Sequence, residues 1–279
     1  MSATTSAPTA LTPDAAQAPR PRTRRAFTRT QRIVISVLNL IAFFTLWELA
    51  ARFTGIPALF LPAFTDVLDQ IAVMYRQGIL LDTVWFSVRA YLIGMVISLA
   101  IAIPGGLLIG GIKLLDKVVN PYVWTLYTLP RIILMPLVLL WFGYSPTSTL
   151  VLIVLSATPA CMVYVMDGVK TVDTSLLRAA RAFGAGRRQL FRHVAMPSTL
   201  PFIATGVRMG VARGLLGLFI GEMFTGVAGI GFVMTQAQKT FNTARTFAML
   251  LIFILFSVLL VGLTQALERK ASVWRAQEA

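Results

Sequence analysis

From Ala90 to Ile112 the chain runs for 23 residues without a charged side chain, and from Thr246 to Leu267 it does so for 22. As helices rising 1.5 Å per residue, both runs cross a hydrocarbon core about 30 Å thick. Pro104-Gly105-Gly106 and Gly110-Gly111 lie inside the first run. They are tolerable at membrane depth only against close neighbours. Four further apolar stretches of spanning length lie at roughly 33–53, 118–142, 149–166 and 201–221. The chain therefore reads as an all-α polytopic membrane protein with six spans. Near the end of the first, Glu48 and Arg52 stand four apart and can pair along a helix.

Between the spans, Gly55, Pro57 and Pro62 precede a more polar, helix-like stretch up to residue 87. Gly226, Gly229 and Gly231 break the segment between the last two spans into a short apolar piece. Only 13% of residues are charged and mean hydropathy is +0.76, whereas soluble domains carry about 25% charged residues. The one cysteine, Cys161, lies in an apolar run and reads as core, so there is no disulfide or metal framework. The one histidine, His193, stands beside Arg192 in a basic loop and reads as a surface or interface residue. The net charge of +14 does not point to nucleic acid, because most cations flank spans.

Residues 1–32 read as a disordered basic tail. Ala, Thr, Ser and Pro dominate as far as Pro21, and Arg20, Arg22, Arg24, Arg25, Arg29 and Arg32 follow. Such a segment buries too little apolar area to fold. Its prolines spoil an amphipathic transit helix, and the apolar stretch after it spans rather than being cleaved. Lys/Arg bias orients the spans. The tail, Lys113 and Lys117, the 167–197 loop and the C-terminal Arg269, Lys270 and Arg275 carry the positive charge. The loops at 54–87, 143–149 and 223–245 are poor in it. Both termini and the 167–197 loop are thus expected in the cytoplasm.

The longest polar interruption is LLRAARAFGAGRRQLFRHVAMPSTLP, residues 176–201. Leu176, Ala180 and Phe183 share a helical face, with Asp173 or Thr174 as the cap. Gly184-Ala185-Gly186 ends this helix, glycine reaching φ > 0 without steric cost. Leu190, Phe191 and Val194 make a second short apolar face, and Pro197 is expected to stop that helix. Arg178, Arg181, Arg187, Arg188 and Arg192 fill the other faces.

This stretch resembles the EAA loop of permease subunits of bacterial ABC importers. That pattern is Glu-Ala-Ala, three residues, Gly, nine residues, Ile, one residue, Leu-Pro. Here Arg178-Ala179-Ala180, Gly184, Val194, Met196 and Pro197 stand at those spacings. Arg178 puts a cation where the pattern has an acid, so an ion pair made by that acid is not carried over. LPRIILMPLVLLWFGYSP (129–146), FLPAFTDVL (60–68) and GEMFTGVAGIGFVMTQAQ (221–238) are similar to segments of the nitrate, sulfonate and taurine type of importer permease.

The resemblance covers about residues 33–275. It implies a type I importer permease domain there, with a coupling loop at about 167–201 and a short C-terminal tail at 276–279. It further implies a homodimer of permeases in the bacterial inner membrane, two ATPase subunits carrying ATP and Mg, and an extracytoplasmic solute-binding protein. The coupling residues it implies are Arg178, Ala179, Ala180, Phe183, Gly184, Arg187, Arg188, Phe191 and Pro197.

No GxxxxGK[ST] loop occurs, so the chain itself has no P-loop for ATP. H-E-x-x-H, G-x-S-x-G and intramembrane acid pairs are absent too, which removes the residues for membrane hydrolases. No catalytic, metal or cofactor residue is expected in this chain. A secondary transporter, or another polytopic protein without an ATPase partner, is the alternative, but midplane ion-coupling groups and an internal repeat are not evident.

Arg131 lies near the middle of span three. A bare cation there costs about 2.5–3.5 kcal/mol on insertion scales, so it should face the bundle interior or water. Pro130 and Pro136 each remove a backbone donor, and carbonyls so freed can share its protons. Arg208, Arg213 and Glu222 in and after span five are expected to face inward with it. The residues either hold the spans together, Arg131 on carbonyls or Glu222, or line an electropositive path for a small anionic solute.

Overall fold

The structure is a computed structural model in which residues 28–272 are described. The expected tail at residues 1–32 lies outside them apart from its last residues, and so does the 276–279 tail. All elements among the described residues are helical. They are α1 (Arg29–Phe53), α2 (Phe64–Arg76), α3 (Ile79–Gly111), α4 (Lys113–Thr128), α5 (Met135–Phe142) and α6 (Pro146–Lys170), then α7 (Thr174–Ala182), α8 (Arg187–Leu190), α9 (Met196–Thr225), α10 (Ile230–Lys239) and α11 (Thr243–Ser272). A 3₁₀ turn, Arg131–Leu134, precedes α5, and a π turn, Phe191–Ala195, joins α8 to α9.

The chain divides into two compact units, Met1–Leu46 and Trp47–Ala279. In the first, the described residues form the exposed N-terminal part of α1. In the second, α6 is the central helix, with α3 and α9 both packed on it. Lipid chains are as apolar as leucine, so helices associate in a membrane by close packing rather than by expelling water. Glycine makes that possible here. A Cβ on Gly217 of α9 would lie 2.5 Å from the Leu152 carbonyl oxygen of α6, and one on Gly110 of α3 would lie 2.8 Å from that of Met166. Ile153 and Ala157 of α6 then pack with Tyr91, Met95, Leu215 and Leu218. Cys161, Met162 and Val165 pack with Ala102 and Ile109, so Cys161 is core as expected.

Among the described residues five helices are long and apolar enough to cross a membrane, and the pair Lys113–Thr128 plus Arg131–Phe142 makes a sixth if it is one broken span. Two expectations change, for span three and for span two. Span three is not a continuous helix over 118–142: its two halves meet at 98°. Proline disfavours the α conformation in the residue before it, and Leu129 is extended at φ −62°, ψ 128°. Pro136 does not break a helix, since it sits in the first turn of α5, where no N–H is needed. Span two begins well before Ala90, because α3 starts at Ile79.

Around this core, α2 is amphipathic, burying Val67 and Met74. Asp66 stands in its first turn and Arg76 in its last, each suited to the helix dipole. Trp47 stacks near Phe64 and Phe247 and donates from Nε1 to the Pro62 carbonyl at 3.0 Å. Glu48 pairs with Arg52 as expected and also accepts from the Thr65 backbone N–H.

Candidate functional site: coupling loop and intramembrane polar residues

The loop between α6 and α9 forms from local rules. The Asp173 side chain accepts from the Ser175 N–H at 2.7 Å and caps α7. That bond holds the Asp173 carboxyl below its ordinary value, because it favours the charged form. At the other end Gly184 takes φ +82°. Its N–H reaches the Arg181 carbonyl and that of Ala185 reaches Ala180, the paired bonds of a Schellman ending. Gln189 then folds back to accept from the Gly186 N–H at 2.9 Å, capping α8.

A groove of about 320 Å³ opens at this turn, lined by Ala180, Phe183, Gly184, Ala185, Gln189, Leu190, His193 and Val194. Phe183 is 94% exposed and Leu176 53%, so the apolar face of α7 is uncovered in the single chain. Phe191 is exposed as well, whereas Leu190 is buried. Ala179, Arg178, Arg181, Arg188 and Arg192 are exposed, and His193 rests on the Gln189 carbonyl. The side chain of Arg187 lies outside the described residues. Pro197 does not stop the second helix. It lies in the first turn of α9, immediately after the π turn, whose widened hydrogen-bond spacing accommodates a residue with no N–H to give.

At the break after α4, Arg131 Nη1 donates to the carbonyls of Tyr127 at 2.8 Å and Leu129 at 3.0 Å. These are among the helix-end carbonyls that the break leaves without intrahelical partners. Its Nε and Nη2 are covered and have no hydrogen-bond partner. Arg213, near the middle of α9, holds its guanidinium 5.6 Å from the Tyr127 ring centroid. The two arginines line a recess of about 460 Å³ with Tyr127, Thr128, Leu129, Pro130, Leu216 and Ile220, none of them acidic.

Arg208 and Glu222 are placed elsewhere. Arg208 pairs with Glu268 of α11 at 3.4 Å. Glu222 is fully buried and is not the partner of Arg131. It accepts from Ser87 Oγ of α3 at 2.6 Å and from the Gly231 N–H at 2.9 Å. Ser87 Oγ in turn accepts from the Ile230 N–H at 3.0 Å. A buried carboxylate thus caps the start of α10. No group of three or more metal-ligating side chains occurs among the described residues.

Residues 102–273 match the family model described as the binding-protein-dependent transport system inner membrane component. The chain belongs to this family. The permease is 28% identical over 253 residues to the taurine transport system permease protein TauC of Escherichia coli (strain K12), a match covering 89% of this chain and 92% of that protein. It is 26% identical to the putative aliphatic sulfonates transport permease protein SsuC of Bacillus subtilis (strain 168), over 82% and 83% of the two chains. Against the inward-facing methionine ABC transporter MetNI the TM-score is 0.59 at 20% identity, covering 69% of this chain and 95% of that one. A bacterial ABC transporter for the import of alginate gives 0.59 at 13% identity, covering 87% and 99%. The fold is that of the ABC importer permeases, and the permease is a multi-pass inner-membrane transport subunit.

Ser87, Tyr127, Gln189 and Glu268 are polar residues of these sites that the sequence did not single out. Gln189 carries a readable signal, a Gly followed three residues later by Gln. Ser87 carries none, because its partner Glu222 is 135 residues away.

Proposed function

We propose that this permease forms, as a homodimer, the translocation path of an importer for a small anionic solute. Two separate ATPase subunits, holding ATP and Mg, drive it, and an extracytoplasmic binding protein delivers the solute. Both termini and the 167–197 loop face the cytoplasm, as the Lys/Arg bias favours. The observation that carries the coupling role is the α7–α8 turn: exposed Phe183 lines a groove there, and Phe191 and several arginines of the same loop are exposed as well. An apolar face left bare beside cations suits insertion into a cleft on a partner. The taurine and sulfonate relatives support an anionic solute.

The test is Phe191→Asp in the chain co-expressed with the ATPase subunit of its importer. Loss of co-purification, with membrane insertion retained, is the expected result. Undiminished co-purification in that variant and in Phe183→Asp would refute the docking role. Single-cysteine labelling in a Cys161-free variant checks the orientation. Positions 145 and 239 should label from outside intact cells and position 187 should not.

A further inference from the structure

We propose that the recess at the break between α4 and α5 binds the oxyanion group of the transported solute, with Arg131 and Arg213 as its two cationic walls. The proposal rests on the importer function above and deepens it to a subsite and a ligand chemistry. Ion pairs among the described residues are Arg52–Glu48, Lys170–Asp116 and Arg208–Glu268. Neither Arg131 nor Arg213 takes part in one, and no acid lines the recess they share. Arg208, in the same helix as Arg213, shows how this chain neutralises a span arginine when neutralisation is all that is needed.

An arginine cannot shed its proton in a protein, and a cation at membrane depth must face the bundle interior or water. Arg131 spends one nitrogen, Nη1, on two carbonyls, and its Nε and Nη2 are covered without a partner, so its charge stands uncompensated beside the recess. Tyr127 brings the two cations together: its carbonyl holds Arg131 and its ring lies beneath Arg213. Two like charges around one residue repel, and a bound anion relieves that repulsion. A guanidinium presents its donors in a planar fork that matches carboxylate, sulfonate, nitrate or phosphate oxygens. The 460 Å³ of the recess lies within the range of small-ligand sites, about 300–1,000 Å³.

A lipid phosphate offers the same oxygens as a solute. Depth separates the two sources. Arg213 is central in the 30-residue α9, whereas headgroups lie outside the hydrocarbon core, roughly half its 30 Å thickness away. The solute is therefore the ligand proposed.

The experiment uses the full chain purified with its ATPase subunit in detergent, at fixed ionic strength. Methanesulfonate, nitrate and formate are the probes, and dimethyl sulfone is a neutral molecule similar in shape to the first. At least one anion should raise the melting temperature in a saturable way, and dimethyl sulfone should not. Arg131→Gln or Arg213→Gln should weaken apparent affinity about tenfold or more, the size of a lost charged hydrogen bond. Lysine at either position should restore part of it. Arg76→Gln, which removes an exposed cation far along the chain, should behave as the native protein does.

A shift that survives both glutamine variants overturns the proposal, as does no shift with any of the three anions at millimolar concentration. Competition by short-chain phosphatidylglycerol below its micellar concentration reassigns the recess to lipid and also overturns it. The importer function fails separately. A chain that does not assemble with the ATPase counts against coupling, whereas an assembled complex without arginine-dependent anion binding counts against the recess alone.

Discussion

Gly229 has no room for a Cβ, because the Glu222 carboxyl occupies that space. The close approach lets a buried carboxylate meet the Gly231 N–H directly and the Ile230 N–H through Ser87. Donors at a helix start have no intrahelical partner, and the Glu222 oxygens supply acceptors for them. Gly229 further sits at φ +103°, where side chains are strained. Gly229→Ala should therefore destabilise the permease by about 2–4 kcal/mol, combining strain with overpacking. A Tm measured in detergent that stays within error of the native value would refute the contact. Glu222→Gln keeps an acceptor for one N–H and should cost less than Glu222→Ala.

The helix pair at the centre makes a second, contrasting prediction. Gly217 lies against the α6 backbone, whereas Gly262 has nothing within 4 Å of a built Cβ. Gly217→Val should separate α9 from α6 and lower folded yield and Tm sharply, an effect of about 1–3 kcal/mol or more. Gly262→Val should be close to neutral. Equal effects of the two substitutions would show that α9 does not pack on α6 this closely.

What could be read from the sequence followed local chemistry. The spans, the Asp173 cap, the left-handed Gly184 and the Glu48–Arg52 pair all depend on residues within a few positions of each other. Pro130 marked a missing donor in span three, but not the 98° break there, which depends on the 3₁₀ turn that follows. Pro197 was misleading for a related reason. A proline normally ends a helix, and the π turn that carries the chain past it has no sequence signature. Arg208 and Glu222 read simply as inward-facing charges. Their partners, Glu268 and Ser87, come from other helices and are set by packing. Arg131 is the intermediate case, since freed carbonyls were foreseeable from the prolines and Arg213 above Tyr127 was not.

The Asp173 cap predicts a pH dependence of defined sign. The Ser175 N–H holds the Asp173 carboxyl below its ordinary value. Its contribution to α7 is thus fully present above the value of the unfolded chain and is lost as pH falls through the lowered folded value. Acidification should loosen the start of α7, read as faster proteolysis within the loop. Asp173→Asn, which can still accept from Ser175, should remove the pH dependence while keeping the helix. A native loop whose cleavage rate matches that of Asp173→Asn across the acid range would refute this.

Gly184 gives the sharpest test of coupling, because its surroundings are empty and its backbone is not. Nothing lies within 4 Å of a Cβ built there, so a substitution creates no clash with neighbours. Its φ of +82° is the obstacle. A β-branched residue is a steric outlier in that region and asparagine is tolerated. Forcing valine there costs about 1–3 kcal/mol, enough to undo the turn that sets α7 against α8. Since the spans do not depend on that turn, Gly184→Val should insert and fold with a native Tm in its main transition. Association with the ATPase subunit, and ATP hydrolysis stimulated by the loaded binding protein, should fall at least several-fold. Gly184→Asn should keep most of both. The order Gly, Asn, then Val follows from backbone conformation alone, whereas loss of side-chain contacts would make Asn and Val alike. Native hydrolysis in Gly184→Val would separate this turn from energy transmission.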